Sequence, residues 1–298
     1  MSKIIILGAH GLLGQNLVKQ FAKTLDVHGI GIEPAEQFAI DTLMQYSRCD
    51  ITDASQLSDI GMDSDCVAAI NAAAYTNVDG AESDSERAYL LNRDAVQNIL
   101  EVIPDDVPLV HISTDYIFDG SAGPYRETDP VAPQGVYAQS KWDGEKLLLD
   151  SGQPAIIVRP NVLYGNGEKL TSSFVAWLVG ELRQGHSVNI VDDQFNNPTY
   201  AKRLAEVVDL LIGEHALGAW HFGSREVVSR YTFALKIADV FELDAGLINP
   251  ISTAELGQKA LRPMKSGLIC DKLVEKLKYP ILPLRTELEL LREEMYAG

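Results

Sequence analysis

Short apolar runs alternate with amphipathic stretches through the first half of the chain. Lys3 to Leu7, KIIIL, is a continuous apolar run rich in β-branched residues and predicts a strand; behind it Leu12, Leu13, Leu17, Val18 and Phe21 fall on adjoining positions of a helix. Further strands are expected at Val27 to Ile32, just before Cys49, and at Cys66 to Ile70, Val107 to Ser113 and Ala155 to Val158. Between them the pattern predicts helices from Glu33 to about Gln45, from about Asp79 to Ile103, and over Val136 to Asp150, with a proline-rich loop from Tyr116 to Pro133. Regular strand and helix alternation predicts a doubly wound α/β fold with a parallel sheet. Beyond about Arg159 the regularity loosens. Helices are readable at Ser173 to Arg183, Lys202 to Gly213, Tyr231 to Phe241 and Thr286 to Met295, with short strands near Val188 to Val191 and Ala219 to Phe222. We therefore expect a dinucleotide-binding (Rossmann) domain over residues 1–160, with later segments returning to it, and a smaller mixed α/β substrate lobe made mainly from residues 161–298.

Charge narrows the partners. With 25 basic and 42 acidic residues the net charge is −17, which argues against nucleic acid or an anionic membrane as the main partner and means that an anionic nucleotide substrate needs local arginines. The three cysteines, Cys49, Cys66 and Cys270, show no metal-type spacing and suit free thiols in a reducing cytoplasm. No apolar run is long enough for a membrane span, and KIIIL is too short for a signal segment.

The candidate chemistry lies at the ends of the predicted strands. Gly8, Gly11 and Gly14, with His10, Leu12 and Leu13 between them, join the first strand to the first helix, where bare N–H groups and the helix dipole favour a pyrophosphate. Glu33 ends the second strand at about the distance where an acid meets the adenosine ribose, which mildly favours NAD(H) over NADP(H); Arg48 leaves the matter open, and Glu33 reads equally well as a solvated turn residue. Asp50, followed by Ile51, can reach an adenine edge, and Ala72, Ala73 and Ala74 allow a loop to press against a flat cofactor. Tyr137 and Lys141 stand one helical turn apart and can address one cofactor together, the ammonium favouring the phenolate. Thr114, at the end of the fifth strand, can hold a carbonyl or alcohol oxygen beside that phenol, which implies hydride transfer at a carbinol carbon. His221, His111, Trp142 and Trp177 read as packing or internally satisfied residues, and Asp192 and Asp193 as a turn.

Seven motifs in order, GAHGLLG, NAAAYTNVD, HISTDYIFDG, PYRETDPVAP, YAQSK, NNPT and LRPMKS, resemble the extended short-chain dehydrogenases/reductases, and within them the dTDP-4-dehydrorhamnose reductase group, which also includes a regulatory β subunit of methionine adenosyltransferase. The resemblance implies an NAD(P)(H)-dependent reductase of a nucleotide-linked 4-keto-6-deoxysugar. It implies Thr114, Tyr137 and Lys141 as catalytic residues, with Asn92 supporting Lys141 through a water. It also implies a substrate side built from Thr76, Thr114, Asp115, Asn197, Thr199 and Arg262. The chain departs from that pattern at Val162, where the reductases often carry a tryptophan that stacks on the sugar, and at Asn16 and Lys202, where some members place magnesium-binding carboxylates; no metal site is expected. A cofactor-holding regulatory subunit and an NAD-dependent epimerase or dehydratase stay open as alternatives, as does a homodimer.

Overall fold

The computed structural model describes residues 2–35, 44–62, 65–168 and 173–296. Strand β1 (Lys3–Leu7) and helix α1 (Leu12–Phe21) are followed by β2 (Asp26–Gly31), β3 (Met44–Arg48), α2 (Ala54–Ile60), β4 (Cys66–Asn71), α3 (Val78–Ala81), α4 (Ser85–Tyr89), α5 (Ala95–Val102), β5 (Leu109–Ile112), α6 (Gly135–Asp150) and β6 (Ala155–Pro160). The second half carries β7 (Leu163–Tyr164), α7 (Phe174–Arg183), β8 (Val188–Val191), β9 (Phe195–Asn196), β10 (Thr199–Tyr200), α8 (Ala201–Gly213), β11 (Gly218–Phe222), β12 (Val228–Ser229), α9 (Arg230–Val240), β13 (Ile248–Ile251), α10 (Thr253–Leu256), α11 (Asp271–Leu277) and α12 (Leu284–Tyr296).

Seven parallel strands form the central sheet in the order β11-β6-β5-β4-β1-β2-β3. Strand β1 shows why its sequence is apolar throughout. Successive side chains point to opposite faces, and Ile4 and Ile6 pack with Leu17 of α1 and Leu204 of α8, whereas Ile5 and Leu7 pack with Leu57 of α2 and Ile99 of α5. Both faces are therefore buried under helices. The chain reverses its direction of travel across the sheet between β1 and β4, and the crevice at the carboxyl ends there is where such sheets take ligands.

Two expectations change. Most of the helix expected from Glu33 to Gln45 lies outside the described residues, and its end belongs to β3. The long helix expected from Asp79 to Ile103 is broken: Asn77 caps α3 by accepting from the Gly80 N–H, Asp84 caps α4 by accepting from the Arg87 N–H, and Leu90–Asp94 is a π-helical turn leading into α5. Short polar side chains that bond to nearby backbone restart a helix even where its apolar period continues.

Two later segments, read in the sequence as part of the smaller lobe, join the sheet layer. Strand β11 pairs with β6, and α8 packs beside α1 with Leu204, Val207, Val208 and Leu211 in the same core as Leu13 and Leu17. A second core, with Val175, Leu178, Phe233, Ile237, Leu284 and Leu288, gathers α7, α9 and α12 around the parallel pair β8 and β13.

Candidate functional site

A cavity of about 800 Å³ opens at the carboxyl ends of β1, β2, β4, β5 and β6. Its wall brings together Gly8, His10, Gly11, Leu12, Leu13, Glu33, Asp50, Ile51, Ala72, Ala73, Ala74, Thr76, Thr114, Asp115, Tyr137 and Lys141. Residues that follow five strands, β1 to β5, and residues of two helices, α1 and α6, thus face one space.

The nucleotide end is built from backbone. Gly8 has φ +82°, and a Cβ there would come within 2.7 Å of the Ala73 nitrogen, so only glycine lets the first loop lie against the alanine loop after β4. Helix α1 begins at Gly11 with no side-chain cap and no acid in its first turn, leaving N–H groups free for an anion. The alanine loop is pinned by Asn71, whose Oδ1 accepts from the Ala73 N–H at 3.2 Å. Glu33 sits with a carboxylate oxygen 3.5 Å from His10 Nδ1, while Tyr46 donates to its carbonyl at 2.8 Å. Asp50 turns one carboxylate oxygen back onto the Thr52 N–H and hydroxyl, which orders the loop that Ile51 follows. These residues fit a dinucleotide: a glycine cradle for its pyrophosphate and an acid at the end of β2 for a ribose.

At the reactive end Thr114, Asp115 and Lys141 are buried and Tyr137 is half-buried at the cavity wall. Lys141 and Tyr137 lie on one face of α6, and the Lys141 ammonium donates to the Ile112 carbonyl at 2.7 Å. Burial lowers Lys141 to about 8, with Glu145 one turn on opposing that fall. Burial also raises Tyr137 well above the ordinary phenol range; the Thr114 hydroxyl, bonded to Tyr137, partly offsets this, and Asp115 and Tyr116 add to it. This corrects the expectation that the neighbouring ammonium favours the phenolate: loss of water outweighs it, so the phenol keeps its proton. Asp115 is raised by burial to about 7, against hydrogen bonds from Ser266 and Thr114 and the Arg230 charge, and its Oδ2 is unpaired. Below this layer Ser113 donates to Glu145 at 2.6 Å, and Glu145 forms a buried ion pair with Arg159, locking the end of β5 to α6 and β6.

Asn92 sits in the π-turn and does not line the cavity. Its Oδ1 accepts from the Tyr75 N–H at 2.9 Å, and its Nδ2 donates to the Tyr75 carbonyl and, at 3.0 Å, to the Ser140 hydroxyl. It ties the loop after β4 to α6. Asn197, Thr199 and Arg262 are likewise not brought to the cavity wall. The Asn197 side chain is consumed by Asn161, Leu268 and Ser224, and Thr199 donates to the Phe222 carbonyl while accepting from the Asn161 N–H. Arg262 is held by Asp79 at 2.7 Å. In this structure the three side chains brace the last third of the chain against β11, α3 and the residue after β6.

His221 is buried, lowered to about 3 by burial and Arg159, and bonded to the Tyr125 carbonyl, which suits the satisfied histidine expected. Trp142 packs against the Ile117 and Phe118 cluster as expected. Trp177 does not: it is 45% exposed, tilted against Phe174. Arg230 and Tyr116 also line the cavity. Sequence reasoning missed Arg230, because a single arginine after a serine cap carries no periodic or motif signal.

A glycine cradle, an acid at the end of β2 and a Thr-Tyr-Lys set on one cavity wall define a nicotinamide-dinucleotide oxidoreductase built on a doubly wound sheet. The chain belongs to the RmlD substrate binding domain family, whose model matches residues 2–297. It is 36% identical, over 89% of its length and 84% of the other's, to a dTDP-4-dehydrorhamnose reductase of Mycobacterium tuberculosis. It is 31% identical, over 91% and 81%, to methionine adenosyltransferase 2 subunit beta of Pongo abelii. Among solved structures it superposes with a TM-score of 0.86 on dTDP-4-dehydrorhamnose reductase from Bacillus anthracis in complex with NADP, at 28% identity, covering 98% of this chain and 99% of that one.

Proposed function

We propose that the protein reduces the keto group of a nucleotide-linked 4-keto-6-deoxysugar, with dTDP-4-dehydrorhamnose the first candidate, using NADPH or NADH. The observation that carries this reading is that Thr114, Tyr137 and Lys141 stand on the wall of the cavity that also holds the glycine loop, in a chain of this family. The bound nicotinamide supplies the hydride. Gly8, Gly11 and the first turn of α1 hold the pyrophosphate, Glu33 the adenosine ribose, and Lys141 the nicotinamide ribose. Thr114 and Tyr137 receive the ketone oxygen between their hydroxyls, and Tyr137 gives its proton to that oxygen as charge builds there. A buried, protonated phenol is the right state for this direction of reaction.

Val162 lines the cavity without an aromatic face, so sugar recognition falls to other wall residues such as Asp115, Thr76 and Tyr116. The free cysteines are all buried, which supports a reducing cytoplasm as its location; a homodimer is the assembly to test by sedimentation. The deciding experiment assays a panel of nucleotide-4-ketosugars with NADPH and NADH. Oxidation of either cofactor by dTDP-4-dehydrorhamnose supports the reading. A protein that binds NADPH yet turns over no sugar in the panel moves it to the regulatory-subunit reading, which the 31% identity to methionine adenosyltransferase 2 subunit beta supports.

A further inference from the structure

Behind the cavity wall, charged side chains are sealed between α6 and the sheet. Lys141 and Glu145 stand four residues apart on the buried face of α6, together with Ala138, Gly144 and Leu148. The Lys141 ammonium donates to the carbonyl of Ile112, the last residue of β5, at 2.7 Å. Glu145 is held through both carboxylate oxygens: Ser113, next along the chain, donates to Oε2 at 2.6 Å, and Arg159 of β6 reaches both oxygens through Nε, at 3.2 and 3.3 Å, and Oε1 again through Nη2. Arg159 is fixed in turn, donating through Nη1 to the Glu127 carbonyl at 3.2 Å and lying over the Phe118 ring, 5.7 Å from its centroid. All four of Lys141, Glu145, Ser113 and Arg159 are buried.

Two cations and one anion thus share this layer, and loss of water works against the ammonium. The other titratable groups around Lys141 offer it no anion. His111 of β5 is buried and lies well below its ordinary range, through burial and through Lys141 itself, so it stays uncharged. Tyr137 keeps its proton, and burial raises Asp115 to about 7. Glu145 is the charged group that opposes the fall of Lys141. A brace between β5, α6 and β6 needs no charge, since apolar side chains of similar size replace buried ion pairs at little cost. What only a carboxylate supplies is a field on Lys141. We propose that Glu145 is a positioning residue for the reduction: held by Ser113 and Arg159, its carboxylate keeps the Lys141 ammonium charged inside this layer, ready for the nicotinamide ribose; its role in reduction rests on the reductase reading above.

The test follows the dissociation constant for NADH by fluorescence from about pH 6 to about pH 10; NADH lacks the 2′-phosphate, which itself titrates near about 6. Lysine is charged below its pKa, so wild-type affinity should hold up to about 8 and weaken above it, and Lys141→Met should lose that limb. Glu145→Gln should move the limb down by roughly one pH unit or more, as removal of a nearby opposite charge does, and the limb of ketosugar reduction should move with it. Arg159→Met breaks the brace but leaves the carboxylate, and should not move the limb down. A brace alone would change affinity at every pH with the limb in place, so the same limb in wild type and Glu145→Gln overturns the proposal, as does a wild type with no limb. Should Glu145→Gln fail to fold because Arg159 has lost its partner, the double variant Glu145→Gln/Arg159→Met carries no unpaired charge, and an unmoved limb there overturns the proposal as well. A limb that moves for NADH in a protein that turns over no ketosugar keeps the link from Glu145 to Lys141 and sinks the reductase reading instead.

Discussion

Tyr137 is held as a proton donor by loss of solvent around its phenol. Its phenol is pushed up by burial, and the hydroxyl of Thr114 restrains but does not reverse that shift. Tyr137→Phe keeps the ring and removes the proton, so turnover should fall by roughly 10²-fold to 10⁴-fold while the dissociation constant for NADPH stays within about twofold, measured by stopped-flow reduction and fluorescence titration. Unchanged turnover would remove Tyr137 from the chemistry. Glu33 gives the second prediction at this scale. A carboxylate at the end of β2 repels a 2′-phosphate, so Glu33→Ala should raise NADPH affinity roughly tenfold relative to NADH. An unaltered ratio of the two affinities would place the ribose away from Glu33.

At the scale of elements, helix α6 carries the reactive pair only because it can lie against the π-turn. A Cβ at Gly144 would come within 2.0 Å of the Asn92 carbonyl oxygen, which is backbone and cannot swing aside. Gly144→Ala gains about 1 kcal/mol of helix propensity. It should nevertheless destabilise the protein, because overpacking of this kind costs about 1–3 kcal/mol and a backbone obstacle puts it at the upper end. Denaturant unfolding checks the sign, and a stabilised variant would show that the contact is looser than drawn. The activity of Gly144→Ala should fall along with stability, since the Ser140 hydroxyl bonded to Asn92 sits in the same turn of α6 as Lys141.

At the scale of the whole molecule, the C-terminal helix α12 is fastened to the sheet side by a buried acid. Glu287 accepts from the Tyr164 hydroxyl at 3.1 Å through Oε2, its Oε1 is unpaired, and burial raises it from 4.5 to about 8. A carboxyl raised in the folded state binds more protons there than in the unfolded chain. Its contribution to stability is therefore complete below about 4.5 and is lost as pH rises through about 8. Glu287→Gln imitates the neutral form at every pH. Calorimetry should find its Tm above wild type by about 2 °C or more near pH 8.5 and equal to it near pH 4. A constant offset across that window would assign the change to packing instead.

Local features were legible because their causes are local. The apolar run of β1, the glycines behind it and the one-turn spacing of Tyr137 and Lys141 each follow from the period of a strand or helix, or from backbone freedom, and each was found where its pattern placed it. The parallel sheet followed from alternation, whereas α8 and β11, read in the sequence as part of the smaller lobe, prove to join the first core and the edge of the sheet. Only the tertiary structure decided what surrounds each group. Burial, rather than the adjacent ammonium, sets the protonation of Tyr137. Asn197, Thr199 and Arg262 spend polar atoms on Asn161, Phe222 and Asp79, residues remote in sequence, a bracing role that motif position alone did not suggest. Arg230 is the converse case. Its guanidinium gains meaning only when α9 is docked and its neighbours prove to be a ring, another cation and an acid whose carboxyl burial raises, because desolvation and unmet charge are properties of the folded surroundings and are not written in the residue's own stretch of chain.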